Sequence, residues 1–587
     1  MIKNILLVIA AAGTLWSLAV WLVGGFHIPL GHVSIISTDP LRPLAAAAAA
    51  AIIYATVSGS DQLRADLIGL GRLSTPVALV LALSPAVAGL ARNSWTAAGS
   101  DSYAYVSQAD LWLQGTQTIR VPIADVVPWP NALWTFTPHG YRPAAVGSAL
   151  VPVTSPGLSL MMAAAKAAAG HCAMFWVVPI TGALLVWTTF LIGRRLHSDG
   201  VALGAAWLMA TSPAFLAMLV SPMSDVPAAA LWAGAIYFTL DGSGRGALAA
   251  GLAASAAILI RANLAPLAGV LFVGRIFLFR RRPPADALRD SAYFAAGTLA
   301  GCLLIAWLND SLYGSPLASG YGELSSLFAL HNVPTNLRRY GGWFLDSQTP
   351  FAVLGVAALF FQSPILAAFA LAVLGLYLAY IPFEAWWYLR FLLPAWPAMC
   401  IGTAAVFLPR RRPAWRVAGG VVLIALGLHG IRFAAANGAF PVGEGDHRYA
   451  SIAKLVEQVT DQSSVILTGQ NTGPTRYYSG RLTMRFDVLD EAWLDRAVAW
   501  LTARGRHPYF LLEEWELPLF QNRFAAVNGL GALRLTPVLA YHAPGAPGRV
   551  YLFDPAHPGG PTLGSIPPVS ARSKCVEPSP LPMLNLQ

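Results

Sequence analysis

The sequence predicts a polytopic α-helical membrane protein that carries a small α/β domain near its C-terminal end. Of its 587 residues, 56% are hydrophobic and only 11% are charged, which is too apolar for a soluble chain of this size. Several uninterrupted apolar runs approach the length of a membrane-spanning helix. After about Ala435 the composition becomes that of a water-exposed domain, because short helical and β-rich segments alternate there.

The membrane part is predicted to comprise residues 1–435 and about 13 transmembrane helices. The apolar run after Lys3 is long and no small-residue cleavage site stands out, so it is interpreted as a retained first span. The run 158–169 is interrupted by Lys166 and is predicted as an interfacial helix. The predicted spans lie near 5–23, 43–57, 75–91, 173–192, 201–220, 226–240, 247–261, 264–279, 291–308, 350–361, 364–381, 391–408 and 416–434.

The net charge of +10 is concentrated in short arginine clusters between the apolar runs. This is the pattern of cytoplasmic loops under the positive-inside rule, and it argues against a nucleic-acid partner. With Lys3 in the cytoplasm, thirteen spans place every cluster inside. The same count places the loop 92–172 and everything after 435 on the extracytoplasmic side. The clusters are Arg194-Arg195, Arg280 to Arg282, and Arg410 to Arg412 with Arg416.

Residues 436–555 are predicted to form the small extracytoplasmic α/β domain. Residues 556–587 are rich in Pro, Gly and Ser and are predicted to be disordered. The four cysteines include no CxxC pair, so neither a disulfide framework nor a zinc site is predicted. The predicted helices are Ser451–Val459 and Trp493–Leu501, and the predicted strands are Ser464–Leu467, Tyr509–Leu512 and Val550–Phe553.

A helix is predicted to begin at Asp101, with Ser100 as its N-cap, where the long loop 92–172 opens. Helical spacing puts Asp101, Tyr105, Gln108 and Trp112 on one face. A carboxylate, a phenol, an amide and an indole along one stripe at a membrane surface suit the binding of a sugar. The alternative is that Asp101 only stabilises the helix start, which favours its charged form.

The predicted topology places four more ionisable residues at span ends on the same side as Asp101. These are Asp225, Arg261, Glu384 and Arg390. Arginine binds phosphate through forked hydrogen bonds, and a carboxylate can accept a proton from an attacking group. Together they would suit a reaction between an acidic phosphate and a nucleophilic hydroxyl.

Each of these residues also has a structural alternative. Asp225 can cap the following span, and Arg261 can extend to the membrane interface. The aromatic residues 386–388 are typical of an interfacial belt. His139 and His331 are isolated loop histidines without metal-ligand spacing, so no metal site is predicted.

Six motifs in order resemble a known family over roughly residues 75–435. They are Asp101-Ser102-Tyr103-Ala104-Tyr105-Val106-Ser107-Gln108-Ala109, Tyr141-Arg142-Pro143 followed by Ser155-Pro156-Gly157-Leu158, Gly193-Arg194-Arg195-Leu196, Met223-Ser224-Asp225-Val226-Pro227, Tyr313-Gly314-Ser315-Pro316 and Tyr388-Leu389-Arg390-Phe391-Leu392-Leu393-Pro394. This series resembles the GT-C superfamily of integral-membrane glycosyltransferases. The most similar group is the bacterial protein-mannosyltransferase-like and aminoarabinose-transferase-like branch.

The resemblance implies a bacterial inner-membrane enzyme that uses a polyprenyl-phosphate-linked sugar donor on the extracytoplasmic face and inverts the anomeric centre. It implies that Asp101 is the catalytic acid/base carboxylate and Asp225 a supporting carboxylate. Arg261, Arg390 and Tyr105 become candidates for contact with the donor phosphate. The supporting residues would be Gln108, Glu384 and Tyr388.

The sequence departs from the family pattern in two places. Two spans precede the motif span where one is usual, and Asp101 is followed by Ser102 where many members carry a second acidic residue. No cofactor is therefore certain, and a divalent metal ion remains an option. The sugar stays open, as does the acceptor, which is a lipid, a polysaccharide or a protein. Two other classes remain as alternatives, namely a transporter or flippase for a lipid-linked glycan and a non-catalytic membrane scaffold.

Overall fold

The computed structural model describes residues 2–23, 26–30, 33–39, 41–408, 413–440, 442–542, 548–559 and 575–580. Helices dominate up to residue 436, as the apolar runs predict. Those before the long loop are α1 (Ile2–Val23), α2 (Leu41–Val57), α3 (Ser60–Gly71) and α4 (Ser74–Arg92). An antiparallel hairpin of β1 (Phe26–Leu30) and β2 (Val33–Ser37) separates α1 from α2.

The loop 92–172 is built from short elements around a three-stranded antiparallel sheet. The sheet has β5 (Ala149–Pro152) between β3 (Ile119–Arg120) and β4 (Tyr141–Pro143). Its helices are α5 (Asp101–Leu113), α6 (Ala132–Thr135) and α7 (Pro156–Ala169). Helix α5 begins at the predicted residue, and α7 forms where the interfacial helix is predicted.

The remaining helices of the membrane part follow without a further strand in the described residues. They are α8 (Val177–Leu196), α9 (Asp199–Ala210), α10 (Pro213–Leu219), α11 (Asp225–Thr239), α12 (Gly244–Ile260), α13 (Pro266–Leu278), α14 (Pro284–Tyr313), α15 (Leu324–Leu327), α16 (Val333–Gln348), α17 (Phe351–Gln362), α18 (Pro364–Leu378), α19 (Trp396–Phe407) and α20 (Pro413–Ala436).

Every predicted span contains a helix, but the helices do not correspond to the spans one for one. The predicted span 201–220 is divided into α9 and α10, which meet at an angle of 56° just before Pro213. Proline ends a preceding helix because it lacks an N–H and its ring clashes with the turn before it. By length and composition, 5 helices of the described ranges can cross a membrane, or 7 if each of two bent pairs is one span. The number of spans stays a prediction.

Small residues bring α12 and α14 into close contact. A Cβ atom on Gly251 would lie 2.3 Å from the carbonyl oxygen of Phe294, and one on Gly301 would lie 2.3 Å from the Ser255 hydroxyl. Helices in membranes associate through such small-residue surfaces because lipid offers no hydrophobic driving force between them. This packing fixes the end of α12, which the site below uses.

The arginine clusters gather at one end of the helices. Arg195 lies 4.0 Å from Asp241, just beyond the end of α11, and Arg194 pairs with the first residue of α9 at 3.1 Å. Helix α11 begins at Asp225 and has 15 residues, which corresponds to roughly 22 Å. Asp225 and these arginines therefore lie at opposite ends of the helix layer. The predicted cluster Arg410 to Arg412 lies outside the described residues.

Residues 442–559 form what we call the C-terminal α/β region. Its sheet has the order β7-β6-β8-β10-β9, with β6 parallel to β7 and β8 and with β10 antiparallel to β8 and β9. Helices and strands occur at all five segments predicted from the sequence, whereas β7, β9, α22 and α24 were not predicted. The elements are α21 (Val442–Val459), β6 (Ser464–Thr468), α22 (Thr472–Ser479), β7 (Leu482–Arg485), α23 (Leu494–Thr502), β8 (His507–Glu513), α24 (Glu516–Phe524), β9 (Pro537–Tyr541) and β10 (Val550–Phe553).

Helix α22 attaches the C-terminal α/β region to the loop 92–172. The Tyr478 hydroxyl accepts a hydrogen bond from the backbone N–H of Ala97 at 2.7 Å. The neighbouring Tyr477 hydroxyl donates to the Asp110 carboxylate at 2.6 Å. Asp110 also pairs with Lys166 at 2.6 Å, so one carboxylate joins α5, α7 and α22.

Part of the predicted C-terminal tail is also described. The Ser579 backbone N–H donates to the carbonyl of Tyr477 at 3.1 Å, and Lys454 donates to the Ser579 hydroxyl at 2.7 Å. These six residues, 575–580, therefore lie against α21 and α22. The rest of the tail beyond residue 559 lies outside the described residues.

Candidate active site

Four charged side chains from four separate segments meet beside α5 and α11. Asp101 is the first residue of α5, and Asp225 is the first residue of α11. Arg261 directly follows α12, and Arg390 lies in the 3-10 helix Trp386–Ala395 that leads into α19. All four were predicted from the sequence, and all four stand at or near the same ends of the helices.

Arg261 is held tightly. Its Nη2 donates to Asp225 Oδ1 at 2.7 Å, its Nε to the Ser224 hydroxyl at 3.0 Å, and its Nη1 to the Tyr377 hydroxyl at 3.1 Å. The Asp225 side chain is fully buried and that of Arg261 nearly so. A buried carboxylate needs such a partner, because charge without compensation is costly inside a protein. This ion pair therefore forms the fixed wall of the site.

Arg390 is held loosely. Its Nη2 lies 3.7 Å from Asp101 Oδ2, and its Nε lies 3.9 Å from Asp225 Oδ1. Both distances exceed those of normal hydrogen bonds. The guanidinium lies over the rings of Tyr388 and Phe391, and its buried Nε has no hydrogen-bond partner in the described part of the chain. Arg390 thus keeps N–H donors for an anionic ligand.

Asp101 is the accessible member of the group. Its side chain is 34% exposed, compared with 0% for Asp225 and 13% for Arg390. Desolvation of the carboxylate raises the pKa of Asp101. This effect outweighs the lowering of the pKa by the charges of Arg390 and Arg261. The expectation that the helix start would favour the charged form is therefore wrong in its net direction. Ser100 occupies the N-cap position, but its side chain makes no capping bond.

Two tyrosines complete the polar surface. Tyr105, one turn beyond Asp101, forms a hydrogen bond with the Ser224 hydroxyl. The charges of Asp101 and Arg261 also act on its phenol. Tyr321, in the loop after α14, faces Asp101 and Arg261 as well. Desolvation raises the pKa of both phenols, so both are neutral hydrogen-bond donors. Sequence reasoning missed Tyr321 because its loop has no periodic pattern.

Gln108 and Trp112 fix α5 against the start of α7. The Thr154 and Ser159 hydroxyls donate to Gln108 Oε1 at 3.0 Å and 2.9 Å, and Trp112 Nε1 donates to the Ser159 hydroxyl at 3.1 Å. Both side chains line a recess together with Tyr321. Gln108 therefore positions the helix and also contributes to the wall of the recess.

The two other predicted supporting residues differ. Tyr388 lies beneath Arg390, 5.1 Å from the guanidinium carbon to the ring centre, and stacks on Phe383. Glu384 is 88% exposed and pairs with Arg339 at 3.2 Å. Glu384 therefore points to solvent and does not join the contacts of the four charged residues.

The arrangement separates two tasks. Arg390 can bind an anionic oxygen, while the accessible carboxylate of Asp101 can accept a proton from a group bound beside it. Asp225 and Arg261 neutralise each other, and Asp225 lies 3.9 Å from Arg390. The two carboxylates are also the groups here that would ligate a cation. In the ranges described above, the group of three potential metal ligands close enough to share an ion lies elsewhere, in the C-terminal α/β region.

No protein-family model and no curated protein matches this sequence. Solved structures do match. The crystal structure of ArnT from Cupriavidus metallidurans bound to undecaprenyl phosphate is 15% identical, with coverage of 84% of this chain and 99% of that one and a TM-score of 0.50. The Archaeoglobus fulgidus oligosaccharyltransferase in complex with Zn and sulfate is 12% identical, with coverage of 80% and 72% and a TM-score of 0.53. The chain therefore has the GT-C fold, and it is a multi-pass membrane protein.

Proposed function

We propose that this chain, which has the GT-C fold, transfers a sugar from a polyprenyl-phosphate donor to an acceptor. The observation that carries the proposal is the pairing of Arg390, which retains unused N–H donors, with the accessible carboxylate of Asp101. A donor of this class carries a phosphate that Arg390 can bind and a sugar whose reaction the Asp101 carboxylate can assist. The ArnT structure with the same fold holds undecaprenyl phosphate, which agrees with this donor class.

The proposed reaction is an inverting displacement at the anomeric carbon. An acceptor hydroxyl forms the new C–O bond, the bond between the anomeric carbon and the phosphate oxygen breaks, and polyprenyl phosphate leaves with the bonding electrons. Asp101 takes the proton of the acceptor hydroxyl. The raised pKa of Asp101 makes it a stronger base than an ordinary aspartate.

The positive residues then act on the leaving group. Arg390 stabilises the negative charge that grows on the departing phosphate, because charge-assisted hydrogen bonds strengthen as the oxygen becomes more anionic. Arg261 keeps its ion pair with Asp225 and adds positive charge to the site from that position. Tyr105 and Tyr321 donate hydrogen bonds to oxygens of the donor or of the sugar.

We place the site on the extracytoplasmic face of a bacterial inner membrane, with the N-terminus in the cytoplasm. The gathering of arginines at the opposite end of α11 supports this orientation. The C-terminal α/β region lies on the side of the loop 92–172 and is then extracytoplasmic too. Membrane lipids surround the helices, and the acceptor is a lipid, a polysaccharide or a protein.

The test is sugar transfer by the purified chain with a panel of polyprenyl-phosphate sugars. We expect Asp101→Asn to bind donor but to transfer roughly 10²-fold more slowly, the usual scale of a general base. Asn keeps the shape of the side chain and removes its charge, so the variant separates chemistry from packing. The matched control is Asp310→Asn, which changes an exposed carboxylate at the end of α14.

Transfer at the wild-type rate by Asp101→Asn would contradict the assignment of the base and would turn attention to Asp225. A protein that binds the donors but transfers none of them, in wild-type form and with any acceptor class, would favour the transporter reading. A flippase needs arginines for the phosphate but no base beside them.

A further inference from the structure

Three potential metal ligands meet in the C-terminal α/β region. His507 Nε2 lies 2.9 Å from Asp554 Oδ1, and His557 Nδ1 lies 2.9 Å from Asp554 Oδ2. One ligand atom from each residue lies within 4.8 Å of the other two. The carboxylate is buried, whereas the His507 side chain is 26% exposed and that of His557 is 69% exposed. A small cation from solution can therefore reach the group.

The sheet register brings these residues together. His507 begins β8, and Asp554 directly follows β10, which runs antiparallel to β8 with Phe553 opposite Phe510. The backbone N–H of Ala556 donates to Asp554 Oδ1 at 2.9 Å. This turn brings His557 back over the carboxylate. Sequence analysis does not predict the site, because its members are spread over about 50 positions without H-x-H spacing.

The surroundings favour a cation. Tyr509 stacks on the His507 ring at 4.4 Å between centroids and holds its orientation. Asp461, in the turn before β6, adds a second negative charge near His507. Two imidazole nitrogens and a carboxylate are a ligand set that Zn²⁺ and similar divalent transition metals take, with water in the remaining positions.

We propose that His507, Asp554 and His557 bind a divalent transition-metal cation of the Zn²⁺ class. The site lies away from the proposed active site. Ser464, the first residue of β6, pairs with His507 in the sheet. The contacts to the membrane part, such as that of Thr472, lie beyond the opposite end of β6. Five strand residues separate the two, which corresponds to roughly 17 Å. The proposal is therefore independent of the sugar-transfer reaction, and the metal ties β8 to the turn after β10.

The test uses the full chain, purified in detergent, freed of metal with a chelator and titrated with ZnCl₂ by calorimetry. We expect one equivalent to bind. We expect His507→Ala and His557→Ala each to weaken binding by at least about tenfold, the lower limit for changes even outside the ligand shell. Titration with CoCl₂ should give the visible absorption of a nitrogen- and oxygen-ligated ion in the wild type and lose it in both variants.

The matched control is His542→Ala, which removes an exposed histidine of the same region and should leave binding unchanged. His557 is so exposed that its variant is expected to fold, and unchanged thermal unfolding of the metal-free protein checks this. Equal Zn²⁺ binding by the wild type and by a His507→Ala, His557→Ala double variant would overturn the proposal. So would the absence of binding by the wild type.

Discussion

At the scale of single residues, the site contains two arginines that have different roles. Arg261 makes three hydrogen bonds of 3.1 Å or less, one of them to the fully buried Asp225. Arg390 makes only long polar contacts in the described part of the chain, to Asp101, to Asp225 and to the sulfur of Met218. The first arginine is a structural counterion, and the second is available to a ligand. Replacement of Arg261 should therefore lower the stability of the protein, whereas replacement of Arg390 should lower its affinity for the donor.

We expect Arg261→Ala to destabilise the protein by about 3–5 kcal/mol, because it leaves the buried Asp225 carboxylate without compensation. We expect Arg390→Gln to fold normally and to lose roughly 1.5–3 kcal/mol of donor affinity, the value of one charged hydrogen bond. Thermal unfolding and donor binding measured on both variants separate the two effects.

The control for this pair is Arg338→Gln, which changes an exposed arginine on α16 and should alter neither quantity. Wild-type donor affinity in Arg390→Gln would show that this arginine only packs against Tyr388 and Phe391. An Arg261→Ala protein as stable as the wild type would contradict the role of the buried ion pair.

Sequence reasoning selected Asp101, Asp225 and Arg261 because each stands at or directly beside a helix end, where hydropathy and capping signals are strongest. It selected Arg390 from the predicted topology and from its motif, because this residue lies inside a 3-10 helix. It placed Glu384 with them because topology tells on which side of the membrane a residue lies. Topology does not tell in which direction around a turn its side chain points, and Glu384 points to Arg339 and solvent. Tyr377 and Tyr321 join through tertiary contacts that have no local signal.

At the scale of elements, α5 is positioned by α22. Gly473, near the start of α22, lies so close to α5 that a Cβ atom there would be 2.3 Å from the Tyr103 ring. Tyr103 is itself buried between the rings of Tyr141 and Tyr477, so it has no room to retreat. The carboxylate of Asp101 sits at the start of the helix that this contact fixes.

We expect Gly473→Ala to destabilise the protein by about 1–3 kcal/mol, the usual effect of forcing a methyl group into a packed site. Sugar transfer should fall with it, because α5 shifts. Gly445→Ala, where the added methyl group meets no atom within 4 Å, is the matched control for both measurements. Unchanged unfolding and unchanged transfer in Gly473→Ala would show that α22 does not position α5.

A second element-scale expectation concerns the buried Glu516 at the start of α24. Burial raises its pKa from the usual 4.5 to about 7, against the opposing effect of hydrogen bonds from the N–H groups of Glu513 and Gln470. A raised folded-state pKa means that the folded protein holds the proton more tightly. Its stabilisation is complete below about pH 4.5 and is lost as the pH rises through about 7. The difference is about 3 kcal/mol over this window.

Thermal unfolding between pH 5 and pH 8 tests this expectation. Stability should fall with rising pH in the wild type and should fall less in Glu516→Gln, which cannot ionise. Glu514→Gln, a change at the neighbouring exposed position, should keep the wild-type slope. Equal slopes in Glu516→Gln and the wild type would mean that Glu516 is not protonated in the folded protein.

At the scale of the whole molecule, charge and site lie at opposite ends of the helix layer. Hydropathy alone located a helix at each predicted span, but it missed α3 and α16, which lie in predicted loops. It also merged α9 and α10 into the single run 201–220, although Pro213 marks the break between them. The short buried strand β7 was missed because four residues carry too little pattern.

The predicted orientation of the chain in the membrane can be tested with reporter fusions. A reporter active only outside the cytoplasm should be active when fused after Pro558 and inactive when the chain is cut and fused after Gly242, beside the arginine clusters. The physical reason is the retention of arginine-rich loops in the cytoplasm. Activity in the reverse pattern would place the site inside and would remove the basis for an extracytoplasmic reaction.

The attachment of α22 to the loop 92–172 also bears on how the chain is made. A ribosome delivers Ala97 381 positions before Tyr478, which accepts its hydrogen bond, and Asp110 367 positions before Tyr477. Until then the Ala97 N–H lacks this acceptor, Asp110 is left with Lys166, and the side of α5 that carries Tyr103 lacks its contact with α22. A product of interrupted translation that ends before residue 472 would keep the Asp225–Arg261 ion pair but would lack the contacts of α22 that position α5 and Asp101. Synthesis of the C-terminal region is thus expected to complete the ordering of α5 and of the Asp101 carboxylate that it carries.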